Sequence, residues 1–224
     1  MADQVQFALE WDKTGERLYE LGVSRGVLYK QKADGTYDDG VAWNGLTAVT
    51  ESPEGAEAND MWADNIKYGS IRSVETFKGT IEAYTCPDEF YECDGSAALV
   101  EGVYIGQQSR TPFGFSYVTK IGNDTANEAD DGYKIHLVYG ATASPSERNY
   151  ETINDSPEAI TFSWEFDTVP VNVEGHKPTA TIVIDSTKVN KTKLTAFENT
   201  LYGSGNTAAK LPTPAEVLAA FTTP

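Results

Sequence analysis

Polar and apolar residues alternate with a period of two over much of this chain. Ile160, Phe162, Trp164 and Phe166 are interleaved with Thr161, Ser163, Glu165 and Asp167. Successive side chains of a strand point to opposite faces, so this run predicts a strand with one buried face. Tyr133, Ile135, Leu137 and Tyr139 alternate with Lys134 and His136, which places His136 on the polar side. Phe113, Phe115 and Tyr117 enclose Gly114 and Ser116, and Ala180, Ile182 and Ile184 alternate with Thr179, Thr181 and Asp185. The stretches 17–30, 41–50 and 66–84 read as strands with a less regular pattern. Turn residues separate these runs at Ala33-Asp34-Gly35, Asp38-Asp39-Gly40, Asp131-Gly132, Ser144-Pro145 and Ser156-Pro157.

Helical signals are few. Pro87, Asp88 and Glu89 suit a helix N-terminus, and Asp94-Gly95 would end that helix after two turns. Asn190 is placed to cap a helix that buries Leu194, Phe197 and Leu201 and stops at Gly203. Thr213-Pro214-Ala215-Glu216 is a capping-box sequence that opens a short final helix through Phe221. The fold class this implies is mainly β: a β-sandwich or partly closed barrel with one or two flanking α-helices. With no internal repeat and no sharp break in composition, residues 1–224 read as one domain. Its extensions are an N-terminal segment at 1–10, an arm at 31–65 and a C-terminal tail at 203–224.

The arm is set apart by a conflict within its own sequence. Two Asp/Gly turns lead into Glu51-Ser52-Pro53-Glu54-Gly55-Ala56-Glu57-Ala58-Asn59-Asp60, which holds no basic residue. The same segment carries Tyr37, Trp43, Met61 and Trp62. A long connection is usually functional or disordered, and large aromatics argue against plain disorder. These four residues are the candidate self-association site, on an arm that orders against a partner. The competing reading is an ordinary surface hairpin whose aromatics fill the chain's own core.

Composition narrows the function classes. The 224 residues carry 17 Lys and Arg against 34 Asp and Glu, a net charge of −17. Such a surface repels phosphate, which argues against binding to nucleic acid or anionic membrane. A compact monomer of this mass exposes roughly 10,000 Å². Cys86 and Cys93 fit neither a zinc pattern nor a redox pair. No basic stretch followed by an apolar run succeeds Met1, so no signal peptide is expected, and no apolar run reaches the length of a membrane span.

Candidate chemistry is weak. Gly22-Val23-Ser24-Arg25-Gly26 matches the nucleophile elbow of esterases, but that elbow needs a helix after the serine, and Val27, Leu28 and Tyr29 look like strand. The acidic residues Asp124, Glu128, Asp130 and Asp131 lack EF-hand spacing. Phosphate-binding and dinucleotide motifs are missing from the sequence. No catalytic residue, cofactor or metal is expected. A β-rich, acidic chain with an aromatic arm suits a structural protein that binds itself through strand edges.

Five strings carry a resemblance: Trp11 to Tyr29 (WDKTGERLYELGVSRGVLY), Gly40 to Thr47 (GVAWNGLT), Thr80 to Tyr84 (TIEAY), Tyr133 to Gly140 (YKIHLVYG) and Ser156 to Trp164 (SPEAITFSW). In this order, over roughly residues 10–220, the chain resembles the major tail proteins, or tail tube proteins, of long-tailed phages and prophages of Gram-positive bacteria. The acid-rich stretch 51–64 and loop detail depart from that pattern. The resemblance implies a non-enzymatic subunit of the virion, assembled in the host cytoplasm. It implies hexameric rings stacked into a tube around a tape-measure protein, with a tail terminator and distal tail or baseplate proteins at the ends. DNA would pass through without specific binding, along a lumen lined by the excess acid, and a long loop and the termini would bridge rings. The alternative is a β-sandwich adhesion or carbohydrate-binding module of the virion surface, using the 12 tyrosines and 4 tryptophans as a sugar platform.

Overall fold

The alternating stretches form strands in the computed structural model, which describes residues 9–125, 132–153, 155–156 and 158–222. In chain order these are β1 (Leu18–Lys30), β2 (Val41–Trp43), β3 (Leu46–Glu51), β4 (Ala58–Ala63), β5 (Ile66–Arg72) and β6 (Lys78–Ala83). Then follow β7 (Ala97–Val100), β8 (Val103–Ile105), β9 (Phe113–Asn123), β10 (Gly132–Ala143), β11 (Phe162–Thr168) and β12 (Thr181–Asp185). The helices are α1 (Phe90–Cys93), α2 (Lys191–Leu201) and α3 (Pro214–Thr222). The protein is mainly β, as its alternation predicts.

One antiparallel sheet runs β2-β1-β9-β10-β11-β6-β3, with β12 paired to β10. Its end strands β2 and β3 are joined by Asn44 and Gly45 alone. The sheet therefore curls back on itself, bringing β3 near β1, but no ladder among the described residues closes a barrel. β10 carries two partners along one edge: Lys134–Val138 pair with β12, and Ala141–Ala143 pair with β11. Gly140 lies at this fork with φ +58°, and a Cβ there would sit 2.5 Å from the Val169 carbonyl oxygen. Only glycine satisfies both the backbone angle and that close approach.

Curling gives the sheet two cores. Inside the curl, Trp43 packs against Phe90 at 4.5 Å and against Phe115 and Trp164 at 5.5 Å each (ring centroids). On the other side, Tyr29, Ile135, Leu137 and Tyr139 meet Leu194, Phe197 and Leu201 of α2 and Leu211 and Val217 near the C-terminus. The central strands β9 and β10 are thus buried on both faces. His136, expected on a polar face, is covered: its ring stacks on Tyr117 at 4.5 Å.

The helix ends follow their sequence signals. Asn190 Oδ1 accepts from the backbone N–H groups of Thr192 (2.9 Å) and Lys193 (3.2 Å), and Gly203 takes φ +79° beyond the last turn. The Glu216 carboxylate accepts from the Thr213 N–H at 2.8 Å while Thr213 Oγ1 accepts from the Glu216 N–H at 3.3 Å. One expectation needs correction: the first helix is one turn, because Pro87–Glu89 form a separate turn closed by the Phe90 N–H on the Pro87 carbonyl. The C-terminal segment packs against α2: Leu211 is buried and Phe221 lies 5.4 Å from Phe197.

Candidate functional site

The four candidate residues part company in the structure. Trp43 belongs to β2 and points into the first core at 3% exposure, with its indole N–H donating to the Thr85 carbonyl at 2.8 Å. Tyr37 is half-buried against the second core, and its hydroxyl accepts from the Gly140 N–H at 2.9 Å. Neither belongs to an arm. The Asp/Gly turns flanking these residues disguise short pieces of the main sheet as one long loop. Met61 and Trp62, in contrast, lie on β4 and are exposed.

The arm is a ribbon that grows out of the β3–β6 pair. Beyond β3, Ser52 N–H donates to the Lys78 carbonyl at 2.8 Å, and Glu54 and Thr76 exchange both backbone bonds at 2.8 Å. The ladder resumes with Ala58 opposite Arg72 and continues to Ala63 opposite Ile66. Asp64 and Asn65 make the turn with φ of +50° and +64°, the two positive angles that a two-residue hairpin of type I′ requires. At the root, Pro53 interrupts donation, and Gly55 sits at φ +90°, where a Cβ would lie 2.4 Å from the Val74 carbonyl oxygen. Sequence reading took 66–84 as one strand and so missed the second half of the ribbon. The Asp64-Asn65 dipeptide between two short runs was the signal for it.

This ribbon has no core of its own. Trp62, Ile66, Tyr68, Ile71 and Val74 are all more than half exposed, with Trp62 at 68%. A second hairpin, β7–β8, likewise exposes Leu99 and Val100. The chain's accessible surface is 15034 Å², half as much again as the ~10,000 Å² of a compact monomer of this mass. An isolated two-stranded hairpin is marginal in water. Exposed apolar ribbons of this kind mark surfaces that another molecule covers.

At the arm's root, β3 is tied to the sheet by an exposed carboxylate, Glu51, that reaches two buried polar groups. Tyr117 Oη donates to Glu51 Oε1 at 2.5 Å, and His136 Nδ1 lies 3.5 Å from the same oxygen. The imidazole of His136, then the Tyr117 hydroxyl, hold the Glu51 carboxyl below its ordinary value, while burial raises the Tyr117 hydroxyl far above its own. A folded carboxyl with a lowered pKa contributes stability above its unfolded value, and that contribution is lost as pH falls through the folded one. Acidification to ~pH 3, below the usual carboxylate range, is expected to loosen the arm before the sheet. Hydrogen exchange should accelerate at Ser52, Glu54 and Thr76 relative to β9, and Glu51→Gln should flatten this pH dependence.

The remaining motifs resolve as follows. Gly22–Gly26 forms two successive bulges in β1, with Gly22 at φ +68° and Arg25 at +51°, and the chain continues as strand. The helix that an elbow serine needs does not follow Ser24. Asp124 accepts from the Gly15 N–H and pairs with Arg17 at 3.4 Å; Glu128, Asp130 and Asp131 lie outside the described residues. Cys86 and Cys93 are free thiols, and burial raises the Cys93 thiol to about 12. Among the described residues no group of three acidic, histidine or cysteine side chains is placed to hold a metal ion, and no helix is long and apolar enough to cross a membrane. No family model matches the chain, and no curated protein matches it.

Proposed function

We propose that this protein is a self-assembling structural subunit, a tail tube protein that stacks as rings into the hollow tail of a phage virion. The observation that carries this reading is the β4–β5 ribbon: an ordered extension whose large apolar side chains none of the described residues covers. A second copy supplies the missing partner. The partly closed sheet supports the same reading, since among the described residues β2, β3 and β12 each pair with one strand only and leave an edge that a neighbour can extend. The ring, the tape-measure protein within it, and the terminator and distal tail proteins at its ends belong to this proposal through the sequence resemblance.

Charge fits transit of a polyanion. On the outer face of β3, β6 and β11, Glu82, Glu165 and Asp167 accompany one cation, Lys78, which is itself paired with Glu54 at 2.7 Å. A face of this sign turned toward a lumen repels phosphate. Cations in its place would each hold a passing phosphate by about 1 kcal/mol even in bulk water, and many together would stop movement. The sugar-platform alternative loses two of its four tryptophans, because Trp43 and Trp164 are buried in the first core.

Negative-stain microscopy of the concentrated, purified chain tests the proposal. Hollow tubes with a regular axial repeat are the expected result. Dispersed particles that bind oligosaccharide would favour the adhesion reading.

A further inference from the structure

We infer that the tip of the ribbon, Trp62 to Ile66, docks in a second copy of the chain, in the groove beside the double bulge of β1. This inference rests on the self-assembly reading and specifies its contact. The groove is open, has a volume of about 600 Å³, and is lined largely by apolar and small groups, among them Val23, Val27, Trp43 and Leu46. That volume falls within the ~300–1,000 Å³ of sites that hold a drug-sized group, enough for an indole and an aliphatic neighbour.

Three observations favour the ribbon tip as occupant. The first is charge. The single charged residue lining the groove is Arg25, and the ribbon tip presents Asp64 between exposed Trp62 and Ile66. In a chain with twice as many acids as bases, a cation lining an apolar groove favours an acidic, apolar segment. The second is strain. Arg25 holds φ +51°, a backbone angle that suits glycine and disfavours a long side chain. Its guanidinium reaches over the Tyr202 ring at 5.9 Å and lies 3.6 Å from Glu198, and 61% of the side chain remains exposed. A strained residue that lines an open groove with much of its charged side chain exposed is placed for recognition, even with Glu198 as its neighbour.

The third is direction. Leu46, the first residue of β3, lines the groove, whereas the ribbon leaves from Glu51, the last residue of β3. At ~3.3 Å per residue these points are roughly 17 Å apart along the strand. Groove and ribbon root therefore lie at opposite ends of β3. A contact between unlike patches is heterologous, and patches at opposite ends of one strand let copies add head to tail, as stacking requires.

The test uses sedimentation velocity on the full chain, on Arg25→Gly, on Trp62→Ala, and on their equimolar mixture. Arg25→Gly is expected to melt at or above the wild-type temperature, because glycine relieves the backbone angle, yet to need at least a roughly tenfold higher concentration to stack. Arg25→Asn, which also tolerates that angle, should behave alike, and Arg25→Lys should retain stacking. In the mixture, the intact ribbon of Arg25→Gly meets the intact groove of Trp62→Ala. The expected product has twice the mass of either variant's own particle and grows no larger. Wild-type stacking that survives the loss of Arg25, or a mixture that shows no doubling, overturns the groove while leaving self-assembly in place. A wild-type chain that never associates overturns both.

Discussion

Trp62→Ala is expected to leave the fold intact and to raise the concentration needed for stacking roughly 30-fold. The indole is 68% exposed on a ribbon whose two strands pair with each other, so truncation removes little from the monomer. Surface substitutions of this kind usually fall within about 0.5 kcal/mol, a change of roughly 2 °C or less in melting temperature at this size. The same indole is the largest apolar group at the ribbon tip. Interface tryptophans commonly contribute about 2 kcal/mol or more, equivalent to roughly a 30-fold rise in the concentration needed for association. Circular dichroism should report an unchanged fold, and sedimentation should report assembly only at the correspondingly higher concentration. A variant that stacks like the wild type would remove the ribbon from the contact.

Trp43→Ala is expected to do the reverse. This indole is enclosed by Phe90, Phe115 and Trp164, and its N–H is satisfied by the Thr85 carbonyl. Truncation leaves a cavity in a dense aromatic cluster and orphans that carbonyl. Buried tryptophan to alanine costs about 3–5 kcal/mol, a large part of the 5–15 kcal/mol that holds a typical domain together. The melting temperature should fall by roughly 10 °C or more, whatever the assembly state. Thermal unfolding of dilute protein checks this, and an unchanged midpoint would contradict the position of Trp43 in the core.

The opposite fates of these two tryptophans show what the sequence could and could not reveal. Both sit among Asp, Gly and Glu, and local composition treats them alike. What separates them is long-range: β2 pairs with β1, which brings Trp43 over Phe115, whereas among the described residues β4 pairs only with β5. Local signals read correctly where the cause was local. The Asn190 cap, the Thr213–Glu216 box and the alternation of β11 each depend on residues within one turn or one strand. They failed where the cause was tertiary. Ser116 and His136 are polar residues in strands buried on both faces, and their burial follows from the curl of the sheet and the docking of α2, which no period-two pattern encodes. The double bulge at Gly22–Gly26 was visible as a motif, but its role as the wall of a groove emerges only when Trp43 and Leu46 are folded against it.

Sedimentation of the purified full chain across a wide concentration range tests self-assembly most directly. Mass should climb from the 24.4 kDa of a single chain to large, open-ended particles as concentration rises. A single species of one-chain mass at every concentration, with the fold intact, would mean that the exposed ribbon serves something other than another copy of itself.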